Sequence, residues 1–164
     1  MSEEEFSNLI DKNKYQVFFF ACKMSIPFSF TIHTWVVVVD HGKVNRYDIW
    51  GYKHRCETSW GYLHLNLYKP WIGVRKLPSY KSTPGARRFK GQIIYNLEGE
   101  EGSLAERVVI FLNTRAQTYP YINKYHYFPG PNSNTFTQWI IDKFPELEFR
   151  LPWTAIGKNA LLRA

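Results

Sequence analysis

Thr31-Ile32-His33-Thr34-Trp35-Val36-Val37-Val38-Val39-Asp40-His41-Gly42-Lys43 carries the reading of the fold. Four valines behind a tryptophan favour extended backbone, and His41-Gly42 supplies a two-residue turn. The stretch therefore predicts a strand over residues 31–39 that folds back on a second over residues 44–52. Closing the hairpin there pairs Asp40 with Lys43, and counting back sets Val37 opposite Arg46, Trp35 opposite Asp48 and His33 opposite Trp50. Alternate residues share a face, so His33, Trp35, Val37, Val39, Arg46, Asp48 and Trp50 point one way. Asp48 falls diagonal to His33, roughly 7–8 Å away between backbone positions. A carboxylate so placed can orient an imidazole, and polar groups among Trp and Val side chains need such partners, because an unsatisfied buried group costs about 1–3 kcal/mol. A histidine in a strand also fits a purely structural role.

Outward from the hairpin, residues 15–22, 62–68 and 92–97 are rich in aromatic and β-branched side chains between turn signals, and predict three more strands. Residues 69–90 contain Pro70, Pro78, Pro84 and Gly85, and predict a long loop or flap. A short helix opens the chain, with Ser2 and Glu5 spaced as a capping box. Ser103 and Glu106 repeat that spacing ahead of Leu104, Val108, Phe111 and Leu112, a helical stripe that ends at Tyr119-Pro120. The order helix, strands, helix, loop, helix predicts an α+β fold: a mainly antiparallel sheet with helices packed on one face.

The chain has 164 residues, 45% of them hydrophobic and 18% aromatic, which suits one compact domain over residues 1–164 with a sizeable core. Lys and Arg outnumber Asp and Glu by 21 to 14, a net charge of +7 that favours acidic partners. Two cysteines, Cys22 and Cys56, are too few for a disulfide framework and read as free thiols. Neither Cys56 nor His54 and His126 show metal-ligand spacing, and no phosphate-binding glycine loop occurs, so no metal or other cofactor is predicted. The apolar run ending at Cys22 is too short to span a bilayer and follows the acidic Glu3-Glu4-Glu5, the opposite of a basic signal-peptide start. It predicts a cytoplasmic protein without a transmembrane segment.

The last helix is preceded by Pro129-Gly130-Pro131-Asn132-Ser133-Asn134-Thr135-Phe136, a polar turn whose Asn and Ser oxygens can satisfy the free N–H groups of a starting helix. Phe136, Trp139, Ile140 and Phe144 mark its buried face. Ser133 then stands at the positive end of a helix, where enzymes hold nucleophiles and anions and where any capped helix begins. His64 alternates with Leu63, Leu65 and Leu67, which sets it on the polar side of its strand, exposed or lining a cleft with Asn66.

The His-Thr-Trp strand, Tyr119-Pro120-Tyr121, the Pro129–Phe136 turn and the ending Leu151-Pro152-Trp153-Thr154-Ala155-Ile156-Gly157-Lys158 together resemble an uncharacterised bacterial family, a domain of unknown function, over residues 31–158. More distantly, Asn132-Ser133-Asn134-Thr135-Phe136 is similar to the Asn-Cys-x-x-Phe of the permuted papain-like hydrolases, which include the lecithin retinol acyltransferase group. In those proteins an early strand His meets a Cys at a late helix start. The resemblance implies a permuted papain-like fold with His33 as general base, Asp48 as its orienter and Ser133 in the nucleophile position. Asn132 and Asn134 would be polar supports, and Thr135 and Trp35 would line the substrate site. A serine hydroxyl is far less acidic than a thiol and needs stronger general-base help. The implied function is a hydrolase or acyltransferase relative acting on amide or ester bonds of a small-molecule, lipid or peptide substrate, either active or with catalysis lost and the cleft kept.

A nucleic-acid-binding module without catalysis is the alternative. Tyr62, Tyr68, Trp71, Tyr80, Phe89 and Tyr95 are interleaved with Lys69, Arg75, Lys76, Lys81, Arg87, Arg88 and Lys90, a mixture able to stack bases and neutralise phosphates.

Overall fold

The computed structural model describes residues 1–76 and 87–163. The expected hairpin forms strands β2 (Ile32–Asp40) and β3 (Lys43–Ile49), and the ladder pairs Asp40 with Lys43 and Val37 with Arg46. His41 and Gly42 both take positive φ, 48° and 85°, as a tight two-residue turn requires of its central residues. Strand β1 (Tyr15–Lys23) pairs antiparallel with β2 on one side and with the late strand β8 (Gln92–Gly99) on the other. Beyond β3 lie β5 (Leu63–Leu65) and then β4 (Ser59–Trp60), which completes a six-stranded sheet in the order β4-β5-β3-β2-β1-β8.

Both faces of the central strands are covered, which explains why Val17-Phe18-Phe19-Phe20 and Trp35-Val36-Val37-Val38-Val39 are continuous apolar runs rather than alternations. On one face Val17, Phe19, Val36, Val38, Tyr47 and Ile49 pack against α2 (Leu104–Arg115) and α3 (Ser133–Lys143). On the other, Phe18, Phe20, Cys22, Trp35, Val37 and Val39 are covered by Phe6 of α1 (Glu3–Ser7) and by Val74 of β6 (Ile72–Arg75). Each fully buried Phe or Val contributes about 1.5–3 kcal/mol relative to exposure. The fold is α+β, with the two longer helices on one face and the short α1 on the other. Within residues 69–90, where sequence predicts only a loop, β6 pairs with β7 (Arg88–Lys90) as a second small sheet; the remainder of that stretch, residues 77–86, lies outside the described residues.

The helix starts follow their capping residues. The Ser2 hydroxyl accepts from the Glu5 N–H while the Glu5 carboxylate accepts from the Ser2 N–H, a reciprocal box. At α2 the Ser103 hydroxyl accepts from the Glu106 N–H, but Glu106 reaches back one residue further, to the Gly102 N–H. No helix among the described residues is long and apolar enough to cross a membrane.

Candidate functional site

Arg46, Asp48 and His33 share the β2–β3 face covered by α1 and β6, as the hairpin register requires. The 7–8 Å backbone diagonal closes to 3.0 Å between His33 Nε2 and Asp48 Oδ1, although the ring is turned off the line of an aligned hydrogen bond. Asp48 Oδ2 accepts from the Arg46 guanidinium and, at 2.8 Å, from Trp50 Nε1. Arg46 also donates to the carbonyls of Lys69 and Ile72, both at 2.6 Å, and lies 4.3 Å from the centroid of the Trp35 ring. Burial alone would raise the Asp48 carboxyl. The His33 and Arg46 charges and contacts beside it outweigh that and hold it below the usual carboxylate range. Burial pulls the Arg46 guanidinium down from its ordinary value, and Asp48 opposes the shift.

His33 lines a cavity of about 420 Å³ at the end of the sheet where β2 begins. Ile26, Phe28, Ile49, Trp50, Tyr52 and Tyr127 supply much of its wall, with Arg75 at the polar side. Trp50 lies 4.7 Å from the imidazole, centroid to centroid. With Nε2 turned to the carboxylate, Nδ1 is the ring nitrogen left for a ligand, an arrangement in which the acid behind the ring sets its orientation.

The start of α3 is a different environment. Asn132 caps the helix: its Oδ1 accepts from the N–H groups of Asn134 and Thr135, and its Nδ2 donates to the carbonyls of Tyr127 and Ile156. Asn134 donates to the carbonyls of Ile32 and Ile156 and accepts from the Thr34 hydroxyl at 2.9 Å. The Thr135 hydroxyl accepts from the Asn132 N–H and donates to Gly157 O. The polar side chains expected to support a substrate are thus committed to joining β2, α3 and the 151–158 segment. Trp35, expected at the substrate site, is sealed in the core: it is 0% exposed, stacked on Phe20 and bonded through Nε1 to Pro70 O.

The expected meeting of His33 with Ser133 runs against strand alternation. The β2 residue facing the start of α3 is Thr34, whose hydroxyl lies 2.9 Å from Thr137 Oγ1 and 3.4 Å from the Ser133 carbonyl. His33, one residue earlier, points to the opposite face, toward Trp35, Trp50 and Asp48. The structure brings His33 and Asp48 together and sets the helix that begins with the buried Ser133 on the other side of the sheet.

His64, expected on the exposed side of its strand, is fully buried. Its Nε2 donates to the Tyr52 carbonyl at 3.0 Å, so its Nδ1 accepts from the Ser59 hydroxyl at 2.7 Å. Burial pushes this imidazole below its ordinary pKa. Cys22 and Cys56 are both free; burial raises the Cys22 thiol to about 11, while Cys56 is half-buried beside Ser59. Among the described residues no group of three or more His, Cys, Asp or Glu side chains is placed to hold a metal ion.

Residues 14–160 match the model of DUF3750, a family described as a protein of unknown function, and the chain belongs to that family. No curated protein and no solved structure matches the chain.

Proposed function

We propose that the protein is a relative of the permuted papain-like hydrolases in which catalysis at the helix start is lost and ligand binding is kept in the His33 cavity. The single observation that carries this reading is the carboxylate-backed imidazole, His33 over Asp48, at the wall of a largely apolar cavity. The element order supports the family likeness, an antiparallel sheet with a histidine on an early strand and a late helix beginning Asn-Ser-x-x-Phe, although the imidazole faces away from that helix. Against turnover at Ser133 stands Thr34: a hydroxyl in the position that faces the helix start cannot serve as the base a serine needs. The ligand is a small acyl or aryl compound bearing one amide, ester or carboxyl group, its apolar part against Trp50, Tyr52 and Tyr127 and its polar group on His33 and Arg75.

Titration with an acyl anilide, followed by Trp50 emission, tests the reading. Saturable quenching that disappears in Trp50→Phe and weakens in His33→Ala is expected, together with no Ser133-dependent labelling by a fluorophosphonate probe. Labelling of the wild type that is lost in Ser133→Ala would overturn it in favour of a working serine hydrolase.

The nucleic-acid reading has less to stand on. Arg88 covers Tyr68 at 4.3 Å, Lys69 lies over Trp71 at 5.4 Å and Tyr95 stacks on Phe149, so three of the six rings offered for base stacking already have a partner within the chain. Tyr80 and Lys81 lie outside the described residues.

A further inference from the structure

Large apolar side chains left in solvent are unevenly distributed. Of the seven among the described residues, five belong to the end of the molecule where β2 begins: Ile26 is 65% exposed, Phe30 52%, Tyr127 47%, Phe128 60% and Trp153 83%. They form one rim. Phe28 bridges Phe30 and Tyr127, with ring centroids 6.3 Å and 4.5 Å away, and Phe128 and Trp153 line the same hollow. A hydrogen bond from the Thr31 hydroxyl to Thr154 O, 2.7 Å long, ties the 24–31 segment to the stretch that carries Trp153.

Charge is divided in the same way. Residues 23–33, 72–76, 119–132 and 151–160 at this end contain no Asp or Glu, whereas they contribute the exposed Lys23, Arg75, Lys76 and Lys124; Asp48, behind His33, is buried and ion-paired with Arg46. Asp40, Glu98, Glu100 and Glu101 gather at the opposite end of the sheet, where β2 finishes and β8 ends. The aromatic rim is therefore flanked by exposed basic side chains from these four segments.

We propose that this end of the protein docks on the surface of an anionic lipid bilayer, with Ile26, Phe30, Phe128 and Trp153 entering the interfacial layer and Lys23, Arg75, Lys76 and Lys124 meeting the headgroups. Aromatic side chains favour the boundary between headgroup and hydrocarbon, and lysines and arginines beside them add attraction to acidic lipid. A second copy of the chain is a poorer occupant, because an isologous contact through this rim would press two basic surfaces together. The inference does not depend on the His33 cavity holding a ligand.

Flotation with vesicles of phosphatidylcholine alone, and of phosphatidylcholine with phosphatidylglycerol, tests it. The wild-type protein should float with the anionic vesicles, less with the neutral ones, and should be released as salt is raised. Phe128→Ser with Trp153→Ser should reduce flotation on anionic vesicles to the neutral level, while Ile110→Ser, on the exposed side of α2, and His33→Ala should leave it unchanged. Unaltered thermal unfolding of each variant separates a lost surface from a lost fold. No flotation at low salt, or flotation unaffected by the double substitution, overturns the proposal. Capture by single-stranded oligonucleotide without capture by vesicles also overturns it and reassigns the surface.

Discussion

The Arg46 guanidinium carbon lies 4.3 Å from the centroid of the Trp35 ring, while Nη2 of the same group donates to the Asp48 carboxylate. Both charged side chains are almost completely excluded from water, so each depends on the other. Removing one partner of a buried pair leaves an uncompensated charge, which costs about 3–5 kcal/mol. Asp48→Asn should therefore destabilise the protein by that order in urea unfolding. Replacing both together, Arg46→Met with Asp48→Leu, should cost less than the single change. A loss in the double variant equal to the sum of those of Arg46→Met and Asp48→Leu measured singly would show that the charges are not coupled.

Burial holds the His64 imidazole below its ordinary pKa, with His54 and Arg55 adding to the effect. The folded state therefore binds the proton less readily than the unfolded chain. The stability associated with this group is fully present above the unfolded value of about 6.5 and falls as pH drops through the window down to the folded value. Melting temperature measured across that window should decline more steeply for the wild type than for His64→Gln. Parallel curves would contradict this assignment.

Gly157 has φ of 97°, and a Cβ built on it would approach the Asn132 side chain to 2.5 Å, the same side chain that caps α3. Gly157→Ala combines left-handed strain with displacement of the cap. The expected loss exceeds that of Asn132→Ala, which as a cap substitution costs about 1 kcal/mol. Denaturant midpoints of the two variants, compared at equal m-value, check the order.

Cys22 is buried and its thiol is raised to about 11, whereas Cys56 is half-buried. Only the thiolate reacts with disulfide reagents. Under native conditions one thiol should titrate rapidly with an aromatic disulfide, and Cys56→Ser should abolish that phase; both thiols should react in denaturant. A fast native phase that survives Cys56→Ser would place the reactive group at Cys22.

The hairpin register was legible because a two-residue turn leaves no freedom in the count: once His41-Gly42 closes, Arg46, Asp48 and His33 must share a face. What alternation could not state is which face receives α3. Thr34 and His33 are neighbours with comparable claims to a site, and only the long-range packing of Val36 and Val38 against the helices decides between them. Strands β6 and β7 escaped notice because they are only four and three residues long and lie within a stretch rich in proline. His64 differs for a related reason: alternation sorts residues between two faces, and here the Ser59 hydroxyl and the ring and carbonyl of Tyr52 cover the face that sequence assigns to solvent.

Asn134 holds the carbonyl of Ile32, 102 positions earlier, and that of Ile156, 22 positions later, with a single amide group. During synthesis on the ribosome the strand is made first, the helix long afterwards and the third partner last of all. Until residue 156 has left the exit tunnel, the nascent helix is held to the sheet by the bonds to Ile32 and Thr34 and by packing alone, without the strap that closes over its start.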